Sequence, residues 1–92
     1  MLITSRRREK LPKPTTLNGN KNLISKNLIL QRQKHNLSQR DLANRLQLMG
    51  YDIDKNVITR IETQKRYVTD IELQAFCNIF NISYDELIME DI

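Results

Sequence analysis

The sequence predicts an all-α fold, a compact bundle of five helices preceded by a flexible basic arm. Gly and Pro number two each, and aromatic residues make up only 5%, which disfavours a fold of many short strands. The length of 92 residues and the 39% hydrophobic content suit one small domain with a single core. The third observation is a helix-start pattern that recurs along the chain.

This pattern combines an N-cap residue with a hydrophobic staple. In each case an apolar residue is followed by Ser, Thr or Asp, and a second apolar residue lies five positions after the first. The four instances are Leu37-Ser38 with Leu42, Ile53-Asp54 with Ile58, Val68-Thr69 with Leu73, and Ile82-Ser83 with Leu87. Glu72 and Glu86 complete capping boxes, of which Asp41 offers a shorter version.

These starts place the elements in order. An earlier helix precedes the first cap, and Gly50 can end the second helix in the left-handed conformation. The predicted helices span about 22–35, 38–49, 55–63, 70–80 and 84–91. The predicted core comprises Leu23, Ile24, Leu28, Leu42, Ala43, Leu46, Ile58, Ile61, Leu73, Phe76, Phe80 and Leu87.

The N-terminal segment differs from the rest of the chain. Residues 1–20 have no apolar period and contain both prolines, so we expect a flexible arm before a domain over 21–92. Residues 1–21 carry six basic groups against one acid, whereas 22–92 carry nine basic and ten acidic groups. A cationic arm suggests a polyanionic partner, with nucleic acid favoured over a membrane surface. The alternative is that the arm is only a solubilising extension. Its contacts would come from Arg6, Arg7, Arg8 and Lys10.

Several classes of protein are disfavoured. A single cysteine rules out an intramolecular disulfide, and no apolar run suits a signal peptide or approaches the about 18 residues of a membrane span. We therefore expect a cytoplasmic protein with no membrane partner. We expect His35 to lie at a helix end and Cys77 to be a buried thiol. No catalytic set, phosphate-cradling loop or metal cluster is visible, so we predict a non-enzyme without cofactor or metal.

The segment "DKNVITRIE" at residues 54–62 is amphipathic. Apolar side chains fall at Val57, Ile58 and Ile61, and polar ones at Lys55, Asn56, Thr59 and Arg60. The preceding helix carries the small Ala43, which permits a close helix crossing. Two such helices joined by a brief connection indicate a helix-turn-helix. The polar side is then either an ordinary solvent-exposed face or a face that contacts the bases of DNA.

The segments "LSQRDLANRL", "VITRIETQKR" and "NISYDEL" together resemble the Cro/C1-type (XRE) family of bacterial and phage DNA-binding domains, over about residues 24–88. The resemblance implies a lambda-repressor-like fold, double-stranded DNA as the partner, and a recognition helix over 54–63 in the major groove. It points to Lys55, Asn56 and Arg60 as base-reading positions, to which the helical face adds Thr59.

The resemblance also implies roles outside the recognition helix. Gln39 is the phosphate-binding position, Ser38 is its cap, and Thr63, Lys65 and Arg66 follow the recognition helix toward the opposite phosphates. Arg32 and Glu62 would form a structural ion pair between helices one and three. Two departures stand out: the connection before the recognition helix is about five residues longer than a usual turn, and Gln64 replaces the Gly or Asn that commonly ends this helix.

Two functions fit these patterns. The first is a small sequence-specific regulator, a repressor on a palindromic operator, bound as a possible homodimer. Candidate dimer contacts are Tyr84, Ile88, Met89 and Ile92. The alternative is an antitoxin or adaptor-type protein-binding module, in which the acids Asp85, Glu86, Glu90 and Asp91 would suit a basic partner.

Overall fold

The computed structural model describes residues 15–16 and 19–88. Within this part there are five α-helices and no strand, so the predicted all-α fold is confirmed. The helices are α1 (Ser25–Lys34), α2 (Gln39–Leu48), α3 (Lys55–Glu62), α4 (Asp70–Phe80) and α5 (Tyr84–Leu87). The arm cations Arg6, Arg7, Arg8 and Lys10 lie outside the described residues, as do Met89, Glu90, Asp91 and Ile92.

The four predicted caps all open helices. Ser38, Thr69 and Ser83 each accept a hydrogen bond from the backbone N–H three residues on, and the acid at that position bonds back to the cap backbone. Asp41 thus forms a full capping box despite its short side chain. At α3 the Asp54 carboxylate accepts from the Val57 N–H at 2.9 Å. These bonds satisfy helix N–H groups that have no partner within the helix.

The first four helices end by a shared device. The residue after each helix or its cap has a positive φ: Asn36 (58°), Gly50 (97°), Gln64 (62°) and Asn81 (55°). The next backbone N–H then bonds back five residues, as from Leu37 to the Arg32 carbonyl at 3.0 Å. This is the Schellman arrangement, which reverses the chain in about two residues. Short connections between helices follow from it.

The first helix begins later than predicted. Asn22 is not helical; its Oδ1 accepts from the N–H groups of Ile24 and Ser25, and its Nδ2 donates to the carbonyls of Ile61 and Arg66. Asn22 therefore caps α1 at Ser25 and ties it to the end of α3. The placement of Leu23 in the core was wrong: the residue is 40% exposed.

The last helix is shorter than predicted. It ends at Leu87 because the Ile88 backbone is extended, with φ −84° and ψ 129°. The prediction of a helix to residue 91 was therefore wrong at its C-terminal end, and residues 89–92 lie outside the described part. Leu87 itself is buried and closes the core, as expected.

The core lies between α1, α2, α3 and α4. Phe76 is its largest fully buried side chain, and Ala43 is buried where α2 meets α3. Leu73 is partly buried and packs against the core rather than within it. The buried apolar residues are Ile24, Leu28, Leu37, Leu42, Ala43, Leu46, Ile53, Ile58, Ile61, Ala75, Phe76, Cys77, Phe80 and Leu87. In the part of the chain that the structure describes, every helix is too short or too polar to cross a membrane.

Candidate nucleic-acid interface

Helix α3 has three apolar side chains, of which Val57 is partly buried, and most of its polar side chains face outward. Ile58 and Ile61 are fully buried, whereas Lys55, Asn56 and Arg60 are exposed. The spacing of Asn56 and Arg60 by four residues puts them on one side of the helix. The amphipathic pattern of the sequence therefore corresponds to a real division between core and surface.

The three exposed side chains are unengaged. Among the described residues, the side chains of Lys55, Asn56 and Arg60 make no hydrogen bond or ion pair. Their ammonium, carboxamide and guanidinium groups can thus meet an external ligand without first breaking an internal contact. Within reach of a nucleic acid they are the donors and acceptors that read purine edges.

Thr59 is placed differently from its neighbours. It is partly buried, and its Oγ1 donates to Gln39 Oε1 at 2.7 Å, with the Lys55 carbonyl at 3.0 Å as the competing acceptor. Its hydroxyl proton is therefore used inside the protein.

Gln39 connects the start of α2 to the end of α3. Its Oε1 accepts from Thr59 and its Nε2 donates to Glu62 Oε1 at 2.8 Å. A carboxamide nitrogen carries two hydrogens, so one remains for an external acceptor. The expected phosphate residue is thereby held in a fixed orientation.

Arg32 and Glu62 form an ion pair across α1 and α3. Arg32 Nε lies 2.8 Å from Glu62 Oε2, and Nη2 lies 3.1 Å from Oε1. The two side chains are 15% and 4% exposed. A third guanidinium nitrogen, Nη1, donates to the Leu37 carbonyl at 3.0 Å. The carboxylate therefore joins three helices, because Arg32, Gln39 and Glu62 belong to α1, α2 and α3.

The remaining phosphate candidates differ in availability. Ser38 Oγ is occupied as the α2 cap, and Thr63 Oγ1 donates to the Thr59 carbonyl at 2.8 Å. Lys65 is exposed. Arg66 is 29% exposed, and its Nη2 pairs with Glu72 Oε2. Of the two basic residues after α3, Lys65 is thus the freer one.

The longer connection between α2 and α3 does not cover this surface. The Tyr51 hydroxyl accepts from Asn78 Nδ2 on α4 at 2.8 Å, and Ile53 is buried in the core. Gln47 Nε2 also donates to the Ile53 carbonyl at 3.2 Å. The connection is therefore anchored to the body of the domain, while Lys55, Asn56 and Arg60 stay exposed.

Gln64 has a role that sequence reasoning missed. Its Oε1 accepts from the N–H groups of Lys21 and Asn22, both at 3.0 Å, and its Nε2 donates to the Asn22 carbonyl at 3.1 Å. Gln64 thus takes the positive-φ position that Gly commonly occupies, and its side chain links the end of α3 to the segment before α1. The presence of Gln where the family commonly has Gly or Asn was the one feature of the sequence that pointed to this role.

Three further titratable residues lie away from the exposed side of α3: Asp41, Cys77 and His35. The pKa of Asp41 is lowered, first by the hydrogen bond from the Ser38 N–H and then by the Ser38 hydroxyl. Burial raises the pKa of the Cys77 thiol. His35 is exposed and its Nδ1 lies 2.8 Å from the Gln31 carbonyl. The described residues contain no cluster of three His, Cys, Asp or Glu side chains that could hold a metal ion.

The helical architecture agrees with the comparison against known protein families. A family model described as a helix-turn-helix matches residues 28–87. The chain belongs to the Cro/C1-type (XRE) helix-turn-helix family. This is a family of DNA-binding transcription regulators and is not typically enzymatic. No curated protein and no solved structure matches the chain.

Proposed function

We propose that this XRE-family protein is a sequence-specific repressor that places α3 in the major groove of double-stranded DNA. The observation that carries the proposal is the exposed, unengaged set of Lys55, Asn56 and Arg60 at one side of α3. A B-DNA major groove about 12 Å wide admits one α-helix. The front of such a helix reaches the base edges.

Each side chain has a chemical counterpart on the bases. Asn56 can pair with adenine N6 and N7, and Arg60 or Lys55 with guanine O6 and N7. Thr59 contributes its methyl group to a thymine methyl, because its hydroxyl holds Gln39. Asp54 stays at the helix start as a cap, where its carboxylate accepts the Val57 N–H.

Phosphate contacts would fix the helix in register on either side of the groove. On one side the α2 start offers the backbone N–H groups of Gln39 and Arg40 and the second Nε2 hydrogen of Gln39. Ser38 adds its hydroxyl hydrogen, since its Oγ serves the cap only as an acceptor. On the other side Thr63, Lys65 and Arg66 follow α3, with Arg66 contributing only what its pairing with Glu72 leaves free. The arm cations Arg6, Arg7, Arg8 and Lys10 would add contacts that are independent of sequence.

The division into an arm over 1–20 and a domain over 21–92 belongs to this proposal. So does binding as a homodimer to a palindromic operator, since one recognition helix rarely supplies enough affinity alone. Tyr84 and Ile88, with Met89 and Ile92 beyond the described residues, remain the dimer contacts we propose. A DNA regulator of this kind acts in the cytoplasm and needs no cofactor.

Selection of bound fragments from a random duplex pool tests the proposal. We expect a recovered motif with two inverted half-sites about 34 Å apart. Affinity should fall with salt at a log–log slope of about −0.9 for each phosphate contacted. No enriched sequence, together with a flat salt dependence, would overturn it in favour of a protein-binding module of the same fold.

Regulation is tested separately. A reporter whose promoter overlaps the selected operator should lose expression when the protein is produced and regain it with the Asn56→Ala, Arg60→Ala double variant. Increased expression with the wild-type protein would show activation instead of repression.

A further inference from the structure

A polar cleft separates the outer face of α2 from the first turn of α3. It has a volume of about 380 Å³. Its α2 wall consists of Arg40, Ala43, Asn44 and Gln47, and its α3 wall of Asp54, Lys55 and Asn56. Two of the proposed base-reading side chains therefore share a cleft with Arg40, Asn44 and Gln47, which the sequence did not single out.

The α2 wall presents free donors. Arg40 and Asn44 are four residues apart, so they lie on one side of the helix. Both are exposed, and neither side chain makes a hydrogen bond or ion pair with any residue in the described ranges. Gln47, one turn further, is fixed by its bond to the Ile53 carbonyl. Gln47 is thus held in place at one end of the cleft, while the Arg40 and Asn44 side chains can bind a ligand.

The charge balance of the cleft favours an anion. Arg40 and Lys55 supply two positive charges, and the first N–H groups of α3 add the positive end of its helix dipole. The one acid, Asp54, already accepts the Val57 N–H at 2.9 Å. The cleft therefore combines cationic and amide donors, and its two cations outnumber its one carboxylate.

We propose that this cleft receives a backbone phosphate of the DNA, held by the Arg40 guanidinium and the Asn44 carboxamide. The inference rests on the proposed function: when Lys55 and Asn56 face base edges, the adjoining strand passes the α2 wall beside them. Guanidinium and amide groups are common phosphate donors, and such contacts position a protein without reading sequence. Helix α2 then grips DNA through its outer face as well as through its start.

The test compares Arg40→Gln with Arg45→Gln, each on the selected operator. Arg45 is a matched control because it is an exposed arginine on the same helix that does not line the cleft. We expect Arg40→Gln to weaken binding of all sequences alike, by about five- to tenfold in 0.1 M salt, and to reduce the salt slope by about 0.9. Arg45→Gln should change neither quantity.

Neutral methylphosphonate linkages, introduced one at a time into the operator, locate the contact. One position should weaken the wild-type protein but not Arg40→Gln, and Asn44→Ala should show the same selective insensitivity. An unchanged slope with a wild-type methylphosphonate profile would overturn the inference and leave the proposed function intact. An altered base preference in Arg40→Gln would overturn it too, by making Arg40 a base reader. Absence of DNA binding by the wild-type protein would instead defeat the proposed function itself.

Discussion

At the scale of single residues, Gln64 shows how a side chain can compensate for an unfavourable backbone. A positive φ costs a non-glycine residue about 1 kcal/mol or more. Gln64 nevertheless holds this conformation at φ 62° while its carboxamide binds both Lys21 and Asn22. The positive φ disfavours Gln at this position, whereas the hydrogen bonds to Lys21 and Asn22 favour it, and we expect the hydrogen bonds to contribute more.

Gln64→Gly should destabilise the domain by about 1–2 kcal/mol, although glycine suits the backbone better. The reason is that three hydrogen bonds are lost and the buried Asn22 N–H loses its acceptor. Asn36→Gly is the matched control, since Asn36 has a similar φ of 58° and its side chain makes no bond to another described residue. Urea unfolding of both variants checks this; a stabilised Gln64→Gly protein would contradict it.

Asp41 predicts a pH dependence at the same scale. Its folded pKa is lowered below the ordinary value of 3.8 by the Ser38 hydrogen bonds. Its contribution to stability is therefore fully present above pH 3.8 and is lost as the pH falls through the lowered pKa. Asp41→Asn should flatten the fall in stability below pH 4, measured by unfolding at a series of pH values. Parallel profiles for the two proteins would refute the assignment.

At the scale of elements, the carboxylate of Glu62 unites three helices. It accepts from Arg32 on α1 and from Gln39 on α2, and Gln39 in turn accepts from Thr59 on α3. The value of such a pair lies more in geometry than in energy, because burying the charges costs much of what their attraction returns. Its loss, in contrast, leaves buried donors without an acceptor.

Glu62→Ala should lower the free energy of unfolding by about 3 kcal/mol, since Arg32 and Gln39 lose their shared acceptor. Glu86→Ala, which removes an exposed acid from the Ser83 capping box, should cost no more than about 1 kcal/mol. Thermal melts of the two variants make the comparison. Equal losses would mean that the Glu62 network holds the helices no more firmly than a cap does.

Sequence reasoning predicted the helix starts well because each depends on residues within five positions. Ser38, Asp54, Thr69 and Ser83 all cap as expected. It failed at the start of α1, where Asn22 bonds locally to the N–H groups of Ile24 and Ser25 and is held in place by the distant carbonyls of residues 61 and 66. It also missed the Thr59–Gln39 bond, which spans 20 positions and depends on how α2 crosses α3. Local rules cannot supply contacts that arise from packing.

The same distinction applies to the proposed DNA surface. The amphipathic pattern of α3 was sufficient to predict that Lys55, Asn56 and Arg60 are exposed, although Thr59 is partly buried. The cleft beside Arg40 and Asn44 could not be predicted, because it forms only where two helices meet. Arg66 was expected to contact a phosphate, and its pairing with Glu72, six positions later, was not predicted.

At the scale of the whole molecule, several acidic side chains form hydrogen bonds or ion pairs within the protein, whereas some basic side chains do not. Around α2 and α3 the acids Asp41, Asp54 and Glu62 are engaged as caps or in an ion pair, while Lys55 and Arg60 are unpaired among the described residues. The exposed side of α3 therefore presents two cationic groups that no acid of the described residues pairs. This surface and the basic arm together would attract DNA.

Replacing Arg6, Arg7 and Arg8 with Gln tests the arm. Binding to all sequences should weaken alike, with a salt slope smaller by up to about 3, because each arginine would neutralise about one phosphate. Fluorescence anisotropy at several salt concentrations gives both quantities, with thermal melts to show that the fold is unchanged. An undiminished slope would leave the arm as a solubilising extension.

The central claim is that the exposed side of α3 reads bases, and the base preference of Asn56→Ala tests it most directly. Random-pool selection with this variant should show relaxed preference at one position in each half-site, by about 1–3 kcal/mol, with an unchanged salt slope. Gln74→Ala, which removes an exposed carboxamide from α4, should select the wild-type motif. An Asn56→Ala protein that selects the same motif with the same stringency would contradict the account.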